Sequence, residues 1–120
     1  DAKYYYTEEK CKFYNKLVEE MKNDNTIYQW RRVYVRENKS KVCPTLTANM
    51  GTGGHNVPLV KTKKGIRKLT PRECFNLQGF PKSYKLPSNL SNTRLYKQAG
   101  NSVVVPVIER ISYEIAKAIE

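Results

Sequence analysis

The chain has 120 residues, with 22 Lys or Arg against 11 Asp or Glu, and a formal net charge of +11 at pH 7. This length suits one domain with a modest core, and the positive excess favours a polyanionic partner, although a solvated basic surface would carry the same charge. The sequence has no long apolar run or signal-like segment, and its three cysteines lack CxxC spacing, so we expect no membrane span, secretion, zinc site or disulfide framework.

The first predicted element is a helix near the N-terminus. Leu17 and Met21 recur at helical spacing, with Glu and Lys between them. Thr7 is the expected N-cap, and the Asn-Asp-Asn sequence at 23–25 should end the helix because these side chains bond to the local backbone. The three tyrosines at 4–6 are predicted to form an extended lead-in, for which a core role is favoured over a contact with nucleic acid.

Residues 28–36 alternate in polarity and are rich in aromatic and β-branched side chains, which predicts a strand. Its cationic and aromatic face would hold Trp30, Arg32, Tyr34 and Arg36. Arginine can form two hydrogen bonds with guanine in the major groove, so this face is a candidate DNA contact. An exposed edge strand kept soluble by its arginines is the alternative.

A second strand is predicted over 42–48 and a short third one over 57–60. Between them lies the glycine-rich stretch 49–56. No helix is predicted directly after this stretch, which excludes a dinucleotide or phosphate loop and leaves a hairpin loop or a loop whose N–H groups contact DNA. Cys43 is expected to be a small buried residue, and His55, the single histidine, to form a loop hydrogen bond.

The next segment has explicit helix signals. Thr70 and Glu73 have the spacing of a capping box, and Pro71 suits the first helical position, so a helix should begin at Pro71. Gly79 should end it after about two turns in a left-handed conformation. The polar, turn-rich residues 83–94 are predicted to be a surface connection.

The chain ends in a predicted amphipathic helix of about four turns. Its apolar positions are Val104, Val107, Ile108, Ile111, Ile115 and Ile119. Pro106 either makes this helix begin near Val103 or removes one of its hydrogen bonds. Asn101 or Ser102 is the expected N-cap, and the positive helix end beside these polar side chains suits a carboxylate or another anionic group.

Two stretches resemble the last two signature motifs of DNA (cytosine-5)-methyltransferases of the bacterial restriction-modification type. They are 67–81, which contains Arg-Lys-Leu-Thr-Pro-Arg-Glu-Cys and Leu-Gln-Gly-Phe-Pro, and 98–105, Gln-Ala-Gly-Asn-Ser-Val-Val-Val. The resemblance implies S-adenosylmethionine as cofactor, with a pocket lined by Asn101, Ser102 and Val103. It implies a structural role, ordering the recognition region, for Arg67, Thr70, Arg72, Glu73, Gln78 and Gly79.

The resemblance also implies double-stranded DNA as the partner, with the target cytosine flipped out of the duplex. Thr45 begins a Thr-Leu pair that fits the family's contact with the phosphate beside this cytosine. Gly53 and Gly54 belong to a glycine loop that follows on the DNA side. Arg32, with Arg36 beyond it, falls about where the family places a guanine-reading arginine.

The implied fold class is α+β. Residues 1–93 would form a small target-recognition domain with short antiparallel strands and helices, and 94–120 would supply a motif and a helix that pack on a doubly wound α/β catalytic domain absent from this chain. The family nucleophile is a cysteine that follows a proline, whereas Cys43 precedes Pro44. The N-terminal cofactor loop is missing too, so we expect no catalytic residue here.

We therefore expect a methyltransferase part that is inactive alone and requires the N-terminal catalytic portion or a large subunit. Asp1 in place of methionine favours a fragment over a natural small subunit. The expected location is cytoplasmic, associated with the nucleoid when bound to DNA, without a metal or membrane. The alternative from another class is a stand-alone basic DNA-binding module or regulator.

Overall fold

The computed structural model describes residues 1–52 and 57–120. Its helices and strands in chain order are α1 (Tyr14–Glu20), β1 (Tyr28–Arg31), β2 (Tyr34–Glu37), β3 (Leu59–Thr62), β4 (Gly65–Lys68), α2 (Pro71–Leu77), α3 (Asn92–Asn101) and α4 (Val105–Ala118). Short 3-10 helices cover Ala2–Tyr4 and Lys39–Lys41. In this part of the chain the strands form one antiparallel sheet in the order β2-β1-β3-β4, which together with the helices confirms the expected small α+β fold.

Two apolar clusters hold these elements together. The first packs α1 on one face of the sheet and consists of Cys11, Leu17, Met21, Tyr28, Trp30, Leu59 and Ile66. Phe13 stacks on Trp30 at its edge, with ring centroids 4.2 Å apart. The second joins α2 and α3 to the N-terminal segment and consists of Tyr4, Leu46, Met50, Val57, Leu69, Cys74, Phe75, Tyr96 and Ala99. Tyr4 thus takes the core role favoured for the tyrosines.

The first helix is shorter than predicted. It begins at Tyr14 with Phe13 as a cap that makes no side-chain hydrogen bond, so the predicted N-cap at Thr7 is wrong. The Tyr6 amide donates to the Ile66 carbonyl (3.0 Å), and the Thr7 carbonyl accepts from Lys10 N in a turn (3.1 Å). The lead-in is therefore tied to β4, and the chain must turn before a helix can start.

The predicted strand over 28–36 is in fact a hairpin. Arg32 has φ 57°, and the Val33 amide donates to the Arg31 carbonyl (2.6 Å), so the chain reverses at Arg32. Trp30 then lies opposite Val35 in the β1–β2 pair. The prediction that Trp30 and Arg32 share a face is therefore wrong. Side chains alternate between the two faces only within a strand, and this alternation does not continue across the turn.

The predicted strand over 42–48 is also absent. Residues 42–47 have no regular secondary structure. Pro44 has no N–H for a strand ladder, and Asn38 Nδ2 donates to the Val42 carbonyl (3.3 Å). The segment is anchored by the buried side chains of Leu46 and Met50. The short third strand exists but begins at Leu59, two residues later than predicted.

Helix α3 replaces the end of the predicted surface connection. Ser91 is its N-cap, and its hydroxyl accepts from the Arg94 amide (3.3 Å). Leu95, Tyr96 and Ala99 are buried in the second cluster. The sequence of α3 contains a single apolar pair, Leu95 and Tyr96, so its amphipathic pattern is too short to recognise without its packing partners.

Helix α4 begins at Val105 with Pro106 in its first turn, which agrees with the first of the two alternatives for this proline. None of its residues is buried. Its apolar positions Val107, Ile108, Ile111, Ile115 and Ile119 are 42% to 79% exposed. Helix α4 therefore presents an apolar stripe to the outside. Among the described residues, no helix has the length and apolar character needed to cross a bilayer.

Candidate functional site

The predicted capping box is present at the start of α2. The Glu73 amide donates to Thr70 Oγ1 (3.2 Å), and the Thr70 amide donates to Glu73 Oε2 (2.8 Å). Arg67 on β4 adds two parallel hydrogen bonds to the same carboxylate, at 2.8 and 2.9 Å. One carboxylate thus ties β4 to the first turn of α2, in a bidentate geometry that is specific to arginine.

This ion pair keeps both partners charged. Burial raises the pKa of Glu73, but the hydrogen bonds from Arg67 and Thr70 and the arginine charge outweigh it, so the pKa lies below its usual value. The pKa of Arg67 is raised, chiefly by its hydrogen bond to Glu73. Arg72, also on α2, is half-buried, and its Nη1 is buried without a hydrogen-bond partner among residues 1–52 and 57–120.

The end of α2 is joined to both of the following helices. Gln78 Nε2 donates to the Ala99 carbonyl on α3 (3.1 Å), and the Gln78 carbonyl accepts from the Val105 amide on α4 (2.8 Å). Gly79 has φ 85°, as predicted for a left-handed helix end, and a Cβ there would lie 2.5 Å from Pro106 Cδ. Gln78 and Gly79 therefore fix the position of residues 100–104.

The expected N-cap for the last helix is wrong. Asn101 is the exposed last residue of α3, and the Ser102 hydroxyl donates back to the Ala99 carbonyl (2.6 Å). The N-cap of α4 is Val104, which makes no side-chain cap. Because Asn101 and Ser102 lie at the negative end of α3, this end favours a cationic group over the anionic group expected from the sequence. Val103 is about half exposed.

Gly100 allows α3 to touch the segment that carries Thr45. A Cβ on Gly100 would overlap the backbone of Thr47 and Ala48. The close approach closes one side of a cavity of about 380 Å³, whose lining includes Thr45, Leu46, Gln78, Gly100, Ser102 and Val104. The tertiary fold thus brings the predicted cofactor turn beside the predicted phosphate-contacting Thr45.

A second cleft, of about 620 Å³, lies on the other side of Thr45. Its lining includes Gln29, Arg31, Arg36, Lys39, Cys43 and Thr45. Cys43, Pro44 and Thr45 line both cavities, so the two are neighbours separated by this short segment. Arg36 faces the cleft as part of its lining, whereas Arg32 is exposed at the hairpin turn and is not among the lining residues.

Sequence reasoning missed Arg31, which lines the cleft together with Arg36. The alternation in 28–36 pointed to Arg32 because it ran through the hairpin turn. No glycine or asparagine marks that turn, although such residues are the usual signal of a tight hairpin. Gly53, Gly54 and His55 lie outside the described residues, so their predicted roles stay predictions.

The cysteines of this region are not activated. Burial raises the pKa of the half-buried Cys43 thiol to about 11. Burial is also the largest cause of the raised pKa of the buried Cys74 thiol, which is about 12. Both thiols are therefore protonated at neutral pH, whereas a nucleophilic cysteine reacts as the thiolate.

Three findings relate the chain to known proteins. The family described as C-5 cytosine-specific DNA methylase matches residues 1–117. The chain is 73% identical to the Type II methyltransferase M.Bsp6I of Bacillus sp. (strain RFL6) over 118 residues, which are 98% of this chain and 37% of that protein. It is 38% identical over 81 residues to M1.ScrFI of Lactococcus lactis subsp. cremoris, covering 68% of this chain and 20% of that protein.

Shorter matches follow the same pattern. M.HpaII of Haemophilus parainfluenzae, another Type II methyltransferase, is 53% identical over 53 residues, which are 44% of this chain and 14% of the relative. No solved structure matches the chain. The chain therefore spans well under half the length of these relatives, and by sequence it belongs to the C-5 cytosine-specific DNA methylase family, in its bacterial restriction-modification branch.

Proposed function

We propose that this chain is the C-terminal part of a DNA (cytosine-5)-methyltransferase, which recognises the target sequence and completes the cofactor site. The intact enzyme would transfer a methyl group from S-adenosylmethionine to C5 of cytosine in a specific duplex sequence. The chain would be inactive alone, because the nucleophile and the main cofactor loop belong to the N-terminal catalytic portion or a large subunit.

The observation that carries this proposal is the meeting of two cavities at Thr45. One holds cationic side chains suited to DNA, and the other holds Gly100 and Ser102 of the turn assigned to the cofactor. A methyltransferase must bring the target base and the methyl donor together, and adjacent sites for both satisfy this need. A DNA-binding module without catalysis needs only the first cavity.

On the DNA side, Thr45 would contact the phosphate beside the flipped cytosine, since it is exposed at the boundary of both cavities. Arg36 would contact the duplex from the cleft. Arg32 would contact it from the exposed hairpin turn, and Gly53 and Gly54 through their backbone N–H groups. The net charge of +11 would add attraction and counterion release to every one of these contacts.

The residues around the turn fit one end of S-adenosylmethionine. Ser102 Oγ retains acceptor capacity after donating to Ala99, and the Asn101 side chain is exposed and makes no hydrogen bond within the described part of the chain. The carbonyl end of α3 favours the positive ammonium or sulfonium groups of this ligand. The cofactor, when bound, supplies the methyl group, while Asn101, Ser102 and Val103 would bind and orient it.

A cavity of about 380 Å³ is small for the whole cofactor, which suits a site that a second portion of the protein completes. The exposed apolar stripe of α4 is the proposed surface for that catalytic portion. Burying about five aliphatic side chains there would contribute on the order of 5 kcal/mol or more to the association.

The first experiment measures incorporation of labelled methyl groups from S-adenosylmethionine into unmethylated duplex DNA. The chain is assayed alone and after co-expression with the coding region directly upstream of it. We expect activity only in the combination, with the methylated cytosine mapped by bisulfite sequencing. A folded complex without activity would refute the proposal and favour the stand-alone DNA-binding module.

The second experiment tests the cofactor turn in the active combination. Asn101→Ala and Ser102→Ala should each weaken cofactor binding about threefold to tenfold, the worth of one hydrogen bond, with little change in DNA affinity. Asn76→Ala and Ser83→Ala, at exposed positions elsewhere, are the matched controls. Unchanged cofactor affinity in both turn variants would remove these residues from the site.

A further inference from the structure

We propose that Arg31 reads a guanine of the target sequence, that Arg36 reads a guanine of a different base pair, and that Arg32 contacts only the sugar-phosphate backbone. This inference rests on the proposed DNA-recognition function and deepens it. It assigns a specificity-determining role to a residue that the sequence pattern passed over.

The hairpin register places the two arginines on one face. Side chains alternate along a strand, and Tyr28 and Trp30 of β1 are buried in the cluster with α1. Arg31 must therefore point to the opposite face, together with Gln29. Arg36 is the cross-strand partner of Gln29, so it shares that face as well. Arg31 and Arg36 are diagonal neighbours across the β1–β2 pair, so their backbone positions are roughly 7–8 Å apart.

Both arginines line the cleft of about 620 Å³, and Gln29 lies between them as a buried part of its wall. The diagonal separation corresponds to about two base-pair steps of roughly 3.4 Å each. One guanidinium can bind a single guanine through O6 and N7, so the spacing suits two guanines in different base pairs. Thr45 in the same lining places this reading face next to the proposed site of the flipped cytosine.

The charges of the pair are available for a ligand. Within residues 1–52 and 57–120, neither Arg31 nor Arg36 forms an ion pair or a side-chain hydrogen bond. Arg67 differs in this respect, because both of its terminal nitrogens donate hydrogen bonds to the Glu73 carboxylate. Lys39 adds a third cation to the cleft, and Glu37 is the one carboxylate among the described residues that line it.

Arg32 differs from Arg31 in its backbone rather than in its chemistry. Its φ of 57° directs it out of the strand at the hairpin tip, beside Val33, which is 71% exposed. The carbonyl of Val33 accepts from Lys16 Nζ on α1 (2.5 Å), and the Val35 amide donates to Glu20 Oε2 (3.2 Å). The tip is therefore braced by α1, and Arg32 is not part of the cleft lining, so we assign Arg32 to the phosphate backbone.

The test uses the chain assembled with its upstream catalytic portion and a pool of random-sequence DNA duplexes. Bound duplexes are selected and sequenced for the wild type and for Arg31→Ala, Arg36→Ala and Arg32→Ala. Arg31→Ala should reduce the preference for guanine at one position about 10-fold to 100-fold, and Arg36→Ala at another position. Arg32→Ala is the matched control of equal charge loss, and it should weaken binding evenly on all sequences.

Arg31→Lys keeps the charge but loses the bidentate geometry, so it should lose the same guanine preference while total DNA affinity stays near that of the wild type. This variant separates base reading from a folding defect. Three results would overturn the inference. The first is a full guanine preference in both Arg31 variants, and the second is a loss of preference at the same position in Arg31→Ala and Arg36→Ala. The third is the absence of any enriched sequence for the wild type. Methylation of the same pool is scored separately, so a protein that selects sequence without methylating would refute the proposed function while supporting this inference.

Discussion

The substitution Gly100→Ala tests whether the contact between α3 and the Thr45 segment organises the site. The new methyl group would overlap the carbonyl group of Thr47 and the amide nitrogen of Ala48. These are main-chain atoms, and the flanking side chains of Leu46 and Met50 hold them in the core. Overpacking of this kind costs about 1–3 kcal/mol, and we expect the upper end because no side chain can rotate away.

For a chain of this size, each kcal/mol lowers Tm by about 4 °C, so Gly100→Ala should lower Tm by about 8–12 °C. Trp30, the single tryptophan, is buried and stacked on Phe13, so its fluorescence reports unfolding, and circular dichroism gives a second probe. Gly51→Ala is the matched control. Its new Cβ would lie 3.0 Å from Tyr96 Cβ and 3.1 Å from Thr93 Cα, contacts that a shift of a few tenths of an ångström relieves.

The control should therefore lose about 1 kcal/mol or less. An equal loss of stability in the two glycine variants would refute the reasoning, since only the Gly100 variant would overlap backbone atoms, whereas the Gly51 variant meets its neighbours at 3.0 Å or more. A wild-type Tm for Gly100→Ala would refute it too, because the segment would then be free to move away from α3. The assembled enzyme gives an independent readout, in which Gly100→Ala should lower cofactor affinity by separating the turn from Thr45.

Three further predictions concern the elements that hold the site. Thr70→Ala should lower the free energy of unfolding by about 1 kcal/mol in urea denaturation, because the Glu73 amide loses its acceptor, whereas Asn76→Ala on the exposed side of the same helix should cost little. An equal cost for both would contradict a capping role. The pKa of Glu73 is lowered in the folded state, so its stabilisation should be complete above the unfolded-state value of about 4.3 and disappear as the pH falls through the lower folded value. Glu73→Gln should remove this acid-side dependence when unfolding is measured over a pH series, and a wild-type slope in the variant would count against the ion pair. Gln78→Leu should cost about 0.5–1.5 kcal/mol because the Ala99 carbonyl loses one donor but keeps the Ser102 hydroxyl, and it should weaken cofactor binding more than DNA binding. Equal effects on the two ligands would mean that Gln78 acts on overall stability alone.

The sequence predicted the elements whose signals are local. The start of α2 at Pro71, its capping box and its glycine end are all correct, because each depends on residues within about one helical turn of one another. The apolar periodicity of α4 was equally readable. The beginning of α1 was not, since the bond from Tyr6 to Ile66 delays it, and that partner is distant in sequence.

The resemblance pointed to the turn at Asn101 and Ser102 and to a contact at Thr45, and these roles stay predictions. The fold places Ser102 and Thr45 in the lining of one cavity, although they are far apart in the sequence. The electrostatic reason was wrong, because the two polar residues end α3 and do not begin α4. A short helix with glycine in its last turn gives little local signal, and α3 is stable here through Leu95, Tyr96 and Ala99 packed in the core.

By itself the sequence determined the family, the basic character of the chain and the capped helix α2, because motif spacing, charge and capping are properties of neighbouring residues. Only the tertiary structure decided which arginines share a face. Because the chain reverses at Arg32, Arg36 lies on the same face of the hairpin as Arg31, and both line the cleft. It also decided that the turn containing Ser102 lies beside Thr45. That contact depends on Gly100 meeting the backbone of Thr47, more than fifty residues away along the chain, and no pattern within a single segment specifies it.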